Sequence, residues 1–245
     1  MRNLDYVANL IKARDRIFFL TGAGISTESG IPDFRGPEGL YSKYPPYMFE
    51  IEFLKREPVR FYKIFLELLN IISAAKPNDG HKLIAKLESL GKVQLVATQN
   101  IDGLHQKAGS EKVSELHGNA MKFYCEKCSK NYFLPSVLEM VAASEVPHCN
   151  CGGLIRPDVV FFGEPLKEEV LRLSFKEAEE SDLFIVCGSS LVVYPAAALP
   201  LVALEERIPL VIINKGETQY DKYCSIKIEE PIGAFFLELT QSLGL

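Results

Sequence analysis

Short apolar runs of strand type recur along the chain at residues 17–20, 93–98, 113–116, 183–187, 210–214 and 225–228. Stretches with apolar residues at helical spacing lie between them, notably 80–90, 167–180 and 196–206. Residues 4–13 read as an opening amphipathic helix. Brief apolar runs bounded by glycine or polar residues mark buried strands rather than helices. Their alternation with helices predicts an α/β fold, a Rossmann-like parallel sheet with helices on both faces. Two regions break the rhythm. Residues 37–76 begin with Tyr41, Tyr44, Tyr47, Phe49 and Phe53; then Phe61, Tyr62, Phe65, Leu66, Leu68 and Leu69 predict a helix with a strong apolar face. Residues 122–155 carry cysteines and turns and read as a metal-held insertion. The sequence shows no internal repeat and no low-complexity tract.

The 245 residues suit one large domain, or one domain with an insertion, and 47% hydrophobic residues suffice for a substantial core. A net charge of −5 argues against a nucleic-acid-binding surface. No apolar run approaches the roughly 18 residues of a membrane span. The start, Met1-Arg2-Asn3-Leu4-Asp5, has no signal-peptide pattern. The expectation is a cytoplasmic protein without membrane or nucleic-acid partners.

Six cysteines in such a protein are metal ligands or buried apolar residues before they are disulfides. Cys125-Glu126-Lys127-Cys128 and Cys149-Asn150-Cys151 stand 20 residues apart, a zinc-ribbon-like spacing. Four thiolates leave no open coordination position, so one Zn²⁺ held by Cys125, Cys128, Cys149 and Cys151 would brace the fold. The second pair is C-x-C, which leaves His148 as a stand-in ligand. A redox dithiol is the competing reading. Cys187 and Cys224 read as core residues.

The densest chemistry follows the first strand, where Thr21 to Gly36 read T-G-A-G-I-S-T-E-S-G-I-P-D-F-R-G. Gly22 and Gly24 let the backbone approach a bulky anion such as a dinucleotide pyrophosphate, met by free N–H groups of the next helix start. Thr27 stands where a full fingerprint has its third glycine, so a plain turn stays open on this fragment. Other polar residues also fall at strand ends, where open α/β sheets bind ligands. Asn100 and Asp102 follow residues 95–98, as a turn or a site. His117 follows 113–116, and a neutral imidazole is a usable base near pH 7. Gly188-Ser189-Ser190 offers small hydroxyl residues suited to a phosphate or ribose.

The sixteen-residue string resembles the cofactor loop of the sirtuins, the NAD-dependent protein deacylases. Five further blocks fit that family in order. They are Thr98 to His105, Leu116-His117-Gly118, the cysteine cluster followed by Arg156 to Glu164, Gly188 to Ala196, and Val211 to Asn214. The blocks span residue 21 to about 217, and the chain resembles the compact prokaryotic members.

The resemblance implies that both insertions pack as one small domain. The division is then 1–36, 77–121 and 156–245 for the NAD-binding domain, and 37–76 with 122–155 for the small one. It implies NAD as co-substrate, contacted by Gly22, Ala23, Gly24, Asp33, Phe34, Arg35, Gln99, Asn100, Ile101, Asp102, Gly188, Ser189, Ser190, Asn214, Lys215 and Gly216. Asn100 would orient the nicotinamide ribose and a water, Asp102 would hold the carboxamide, and His117 would be the general base. His105 would hold its loop, and His81 reads as a helix-start residue. An acylated lysine peptide would bind as an added strand between Gly163-Glu164 and Val192-Val193-Tyr194, with Val160, Phe161, Phe162 and Tyr62 near the acyl group. The implied reaction releases nicotinamide, free lysine and O-acyl-ADP-ribose. An NAD-linked oxidoreductase, a protein mono-ADP-ribosyltransferase and a non-catalytic NAD or ADP-ribose sensor are the alternatives.

Overall fold

The computed structural model describes residues 3–245. Among these, nine strands form: β1 (Ile17–Thr21), β2 (Val93–Thr98), β3 (Val113–Glu115), β4 (Gly118–Cys125), β5 (Asn131–Phe133), β6 (Ile155–Val159), β7 (Leu183–Cys187), β8 (Leu210–Ile213) and β9 (Ile226–Ile228). Six of them make one sheet in the order β3-β2-β1-β7-β8-β9, with every neighbouring pair parallel. β1 and β7 are buried along their whole length, as continuous apolar runs in a parallel sheet should be. Side chains alternate between the faces. Ile17 and Phe19 join one core with Ile11, Ile84 and Phe235; Phe18 and Leu20 join a second with Leu199 and Val202. Phe18 meets Phe184 with ring centroids 4.8 Å apart.

The chain runs outward from β1 through β2 to β3, and again from β7 through β8 to β9. The order therefore reverses between β1 and β7. Loops leaving adjacent strands in opposite directions open a crevice at their carboxyl ends, the usual ligand position in such sheets.

A second, antiparallel sheet has the order β5-β4-β6. It shares a third core with the helix Pro58–Ala74. Phe61, Phe65 and Leu69 from that helix pack with Phe123, Ile155 and Phe161. The small sheet and the helices beside it thus draw residues 44–72 and 120–161 into one cluster. The small sheet begins at Gly118 and runs to Val159, a few residues outside the 122–155 segment read from the cysteines.

The final helix, Ile232–Leu243, was not among the sequence expectations. Its Ile232, Phe235, Phe236 and Leu239 complete the first core at ordinary helical spacing. The Gly233 N–H donates to Glu28 Oε1 at 2.8 Å, so a carboxylate from the glycine loop faces the positive end of this helix. No helix among the described residues is long and apolar enough to cross a membrane.

Candidate active site

The crevice floor is made where the loops after β1 and β7 interlock. The Gly22 N–H donates to Cys187 O at 3.0 Å and the Gly24 N–H to Gly188 O at 2.8 Å. A Cβ on Gly24 would stand 2.7 Å from Gly188 Cα; one on Gly188, at φ +64°, would stand 2.3 Å from Ile25 N. Glycine is required there for the two loops to touch. Both glycine N–H groups are taken by the neighbouring loop, and the segment that follows, Ala23–Ser29, is a short 3₁₀ stretch. Around the floor, the Gln99 side-chain amide donates to Ser189 Oγ at 2.8 Å. Ser190 is half-buried, and Asn214 Nδ2 donates to Gly216 O at 2.8 Å beside exposed Lys215.

Asp33, Phe34 and Arg35 form a tight turn after the glycine loop, held by Leu40 N–H to Asp33 O and Tyr41 N–H to Phe34 O. Asp33 Oδ1 accepts from the Gly36 N–H at 2.7 Å. The Phe34 ring packs against Tyr41 and Phe49, with centroids 5.5 and 5.7 Å away, and the Arg35 guanidinium lies 5.5 Å from the Tyr41 centroid.

His117 stands just past β3. Its Nδ1 lies 2.8 Å from the Gln99 carbonyl oxygen, which can only accept, so Nδ1 carries the proton. Nε2 is thereby left with a lone pair, the form a general base needs. Burial lowers the pKa of His117 and the bond to Gln99 partly opposes it. The imidazole is neutral at pH 7.

Beneath it lies a buried polar network that the sequence only half revealed. Ser26 was not singled out, yet its Oγ donates to Asp102 Oδ2 at 2.7 Å and accepts from Asn100 Nδ2 at 3.1 Å. Asn100 Nδ2 also donates to Gly22 O at 3.1 Å, and Asp102 Oδ1 accepts from the Leu104 N–H at 2.8 Å. Ile101 is half-buried between them. Burial raises the Asp102 pKa, opposed by these hydrogen bonds.

His81 and His105 meet below Ser26 with centroids 4.9 Å apart. Thr21 Oγ1 donates to Thr98 Oγ1 at 2.8 Å and lies 3.0 Å from His105 Nε2. The Thr21 proton being spent, His105 donates from Nε2. Burial pushes His81 down to about 4 and His105 to about 3. Both fall below the unfolded value of about 6.5, so the unfolded chain takes up protons first as pH drops. Their contribution is intact above pH 6.5 and is lost as pH falls through these folded values. The expected result is a melting temperature that declines steadily from pH 6.5 to 4.5. A His81→Asn variant, retaining a polar helix-start residue, should show a shallower decline; equal slopes would remove His81 from the account.

The four predicted cysteines converge. All four sulfurs lie within 4.8 Å of one another, with Cys125 and Cys151 3.5 Å apart and Cys128 and Cys149 3.7 Å apart. A tetrahedral ion with metal–sulfur bonds of about 2.3 Å spaces its sulfurs about 3.8 Å apart, so this set fits zinc. The shortened second pair is accommodated because the Cys149 N–H donates to Gly153 O and the Gly152 N–H to Cys149 O, closing a tight turn. His148 is exposed, with Nδ1 3.1 Å from Val146 O, and is not in the cluster.

The expected acyl-peptide residues divide differently from the sequence reading. Phe161 is buried against Phe61 at 5.4 Å, while Phe162 turns the other way and is exposed; Val160 lies half-buried between His117 and these rings. Phe162 is fixed by its N–H to Phe49 O at 3.0 Å and by the Ile51 N–H to its own carbonyl at 3.1 Å. Gly163 is exposed at φ +92°, and Val193 is half-buried between exposed Val192 and Tyr194. Tyr62 does not line the cleft. It is 1% exposed and its hydroxyl donates to Ile155 O, which ties the helix to β6. The Glu164 carboxylate is likewise spent, on Arg156 and the Phe161 N–H.

A doubly wound sheet, a crevice at its strand reversal, a neutral histidine in base form and a tetrathiolate module define an α/β enzyme with a braced accessory module. The Sir2 family model matches residues 22–195, and the chain belongs to the Sir2 family. It is 48% identical over 227 residues to an NAD-dependent protein deacetylase of Thermotoga maritima, covering 92% of each chain. Among solved structures, it superposes on Sir2 with a p53 peptide and NAD⁺ at a TM-score of 0.93, with 44% identity, covering 100% of this chain and 99% of that one. It also superposes on Sir2Tm bound to a propionylated peptide at 0.92, with 43% identity over 99% of each chain.

Proposed function

We propose that this protein removes acyl groups from lysine side chains of proteins, consuming NAD and yielding nicotinamide and O-acyl-ADP-ribose. The observation that carries this is His117, locked by Gln99 as the Nδ1–H tautomer beside the glycine-floored crevice. The acyl oxygen of the lysine substrate attacks the ribose carbon bearing nicotinamide. His117 Nε2 then takes a proton from the ribose hydroxyls, so that the 2′ oxygen attacks the imidate carbon, and water completes the transfer. Asn100 and Asp102, held by Ser26, orient the nicotinamide riboside end; Phe34 and Arg35 cover it; Gly188, Ser189, Ser190, Asn214, Lys215 and Gly216 take the phosphate and adenosine end. The peptide lies along Gly163-Glu164 and Val192-Val193-Tyr194, positioned in a water-poor cleft. The four cysteines hold one zinc ion as a brace and take no part in the steps. The two-lobed division and a cytoplasmic location belong to the same reading, since four cysteines placed as metal ligands rather than as disulfide pairs suit a reducing compartment. Mass spectrometry of an acetyl-lysine peptide incubated with the protein, with and without NAD, tests it. Peptide deacetylation only with NAD is expected; ADP-ribosylated protein without deacetylation would favour the transferase reading.

Neutral acyl groups should be preferred to acidic ones. Position 65, where succinyl-removing sirtuins resemble one another in an arginine, holds Phe65, stacked on Phe61 at 5.5 Å. Lys63 is exposed, and the nearby Arg156 is already paired with Glu164. An unpaired carboxylate buried there costs about 3 kcal/mol or more, a rate loss of roughly a hundredfold. Rates on acetyl, propionyl and succinyl forms of one peptide measure this. Succinyl turnover matching acetyl turnover would refute it.

A further inference from the structure

Arg156 is the most heavily engaged cation in the small module. Its side chain is 4% exposed. Nη1 donates to Glu164 Oε1 at 2.7 Å and Nη2 to Glu164 Oε2 at 2.7 Å, a two-pronged pairing. Nη2 also donates to Val159 O at 2.9 Å, and Nη1 to Glu126 Oε1 at 3.3 Å. The guanidinium plane lies 4.9 Å from the Phe161 ring centroid. These partners belong to two different places. Glu126 sits between Cys125 and Cys128, inside the first metal-binding turn, and its N–H donates to Leu154 O at 2.9 Å. Glu164 closes the turn at the edge of the peptide groove, where its Oε2 accepts from the Phe161 N–H at 3.0 Å.

We propose that Arg156 is a positioning residue that sets the peptide groove and couples it to the metal-binding turn through Glu126. The proposal rests on the reading that the acyl peptide docks along Gly163-Glu164. A planar fork with a fixed spacing holds both oxygens of Glu164 and one of Glu126 at once, which a lysine cannot do. The groove edge is therefore in register only when the metal-binding turn is closed. Coupling between two sites is reciprocal, so a bound peptide must also hold the metal.

The test is the rate of zinc loss from the zinc-loaded full chain to an excess of chelator, with and without saturating acetyl-lysine peptide and no NAD. In the unsubstituted protein the peptide should slow zinc loss about fivefold to tenfold. Glu126 is partly exposed, so Glu126→Ala should fold and load zinc, yet lose this protection. Its peptide KM should rise by a similar factor, with kcat and the KM for NAD within twofold. Arg156→Lys, which keeps the charge and loses the fork, should behave alike but more severely. Zinc loss unaffected by peptide in the unsubstituted protein, or protection retained in Glu126→Ala, overturns the coupling. Val193→Asp separates this from the groove reading. An unchanged peptide KM in that variant overturns the groove and the proposal together, while a raised KM with peptide-independent zinc loss overturns the coupling alone.

Discussion

A His117→Ala variant should bind NAD normally and lose deacylation by at least about a hundredfold, the scale of a lost general base. The argument is geometric first. Gln99 O takes the Nδ1 proton at 2.8 Å, so the only basic atom of the ring is Nε2. Alanine removes that atom while the backbone stays pinned by the Val160 N–H to His117 O at 3.0 Å. The same burial that lowers the His117 pKa also sets the pH profile. The reactive form is neutral, so the acidic limb of kcat/KM for the unsubstituted protein should have its midpoint below 6.5. Near-normal turnover in a folded His117→Ala protein would exclude His117 as the base; an acidic midpoint above 6.5 would contradict the burial argument.

Removing zinc should have the largest effect on stability. The four sulfurs lie within 4.8 Å of one another and join two chain segments, Cys125–Cys128 and Cys149–Cys151, that are far apart in sequence. Structural zinc supplies free energy directly to folding, and a loss on the order of 4 kcal/mol moves the melting temperature of a chain this size by roughly 10 °C. Calorimetry before and after chelation measures it, with one zinc per chain expected beforehand. Cys224→Ser should leave the zinc content at one, because the Cys224 thiol donates instead to Asp221 O at 3.3 Å. A chelated protein that keeps its melting temperature would show that the cluster does not brace the fold.

The large sheet was legible because its central strands, β1, β7 and β8, are buried along their whole length, which makes them continuous apolar runs. β4 was not, because its Asn119-Ala120-Met121-Lys122 start is half-polar and sits beside glycine and cysteine that read as turn signals. The final helix carried a readable apolar spacing, but it follows the last recognisable block and drew no expectation. At the site, His117 and the cysteines were marked by local context. Ser26 was not, since its value lies in Asn100, Asp102 and His81, which are distant in sequence and meet only in the fold. The reason for Gly24 was hidden likewise: Gly188 is 164 positions away, and no local rule connects them. Tyr62 shows the converse, a side chain named from sequence that the fold engages elsewhere, on the Ile155 carbonyl.

The antiparallel sheet leaves the main body at Gly118 and returns at Val159, and the Val160 N–H to His117 O bond ties these two crossings together. Gly118, at φ +78°, is where the strands pass closest; a Cβ there would stand 2.0 Å from Asp158 O. Such a pair of adjoining crossings acts as a fulcrum. If the sheet tilts, the end beyond the Tyr124–Asn131 pair, which carries the first cysteine turn, sweeps the widest arc, while the imidazole next to the fulcrum scarcely travels. A tilt of this kind would move the small sheet against the main body while the proton-accepting atom kept its aim.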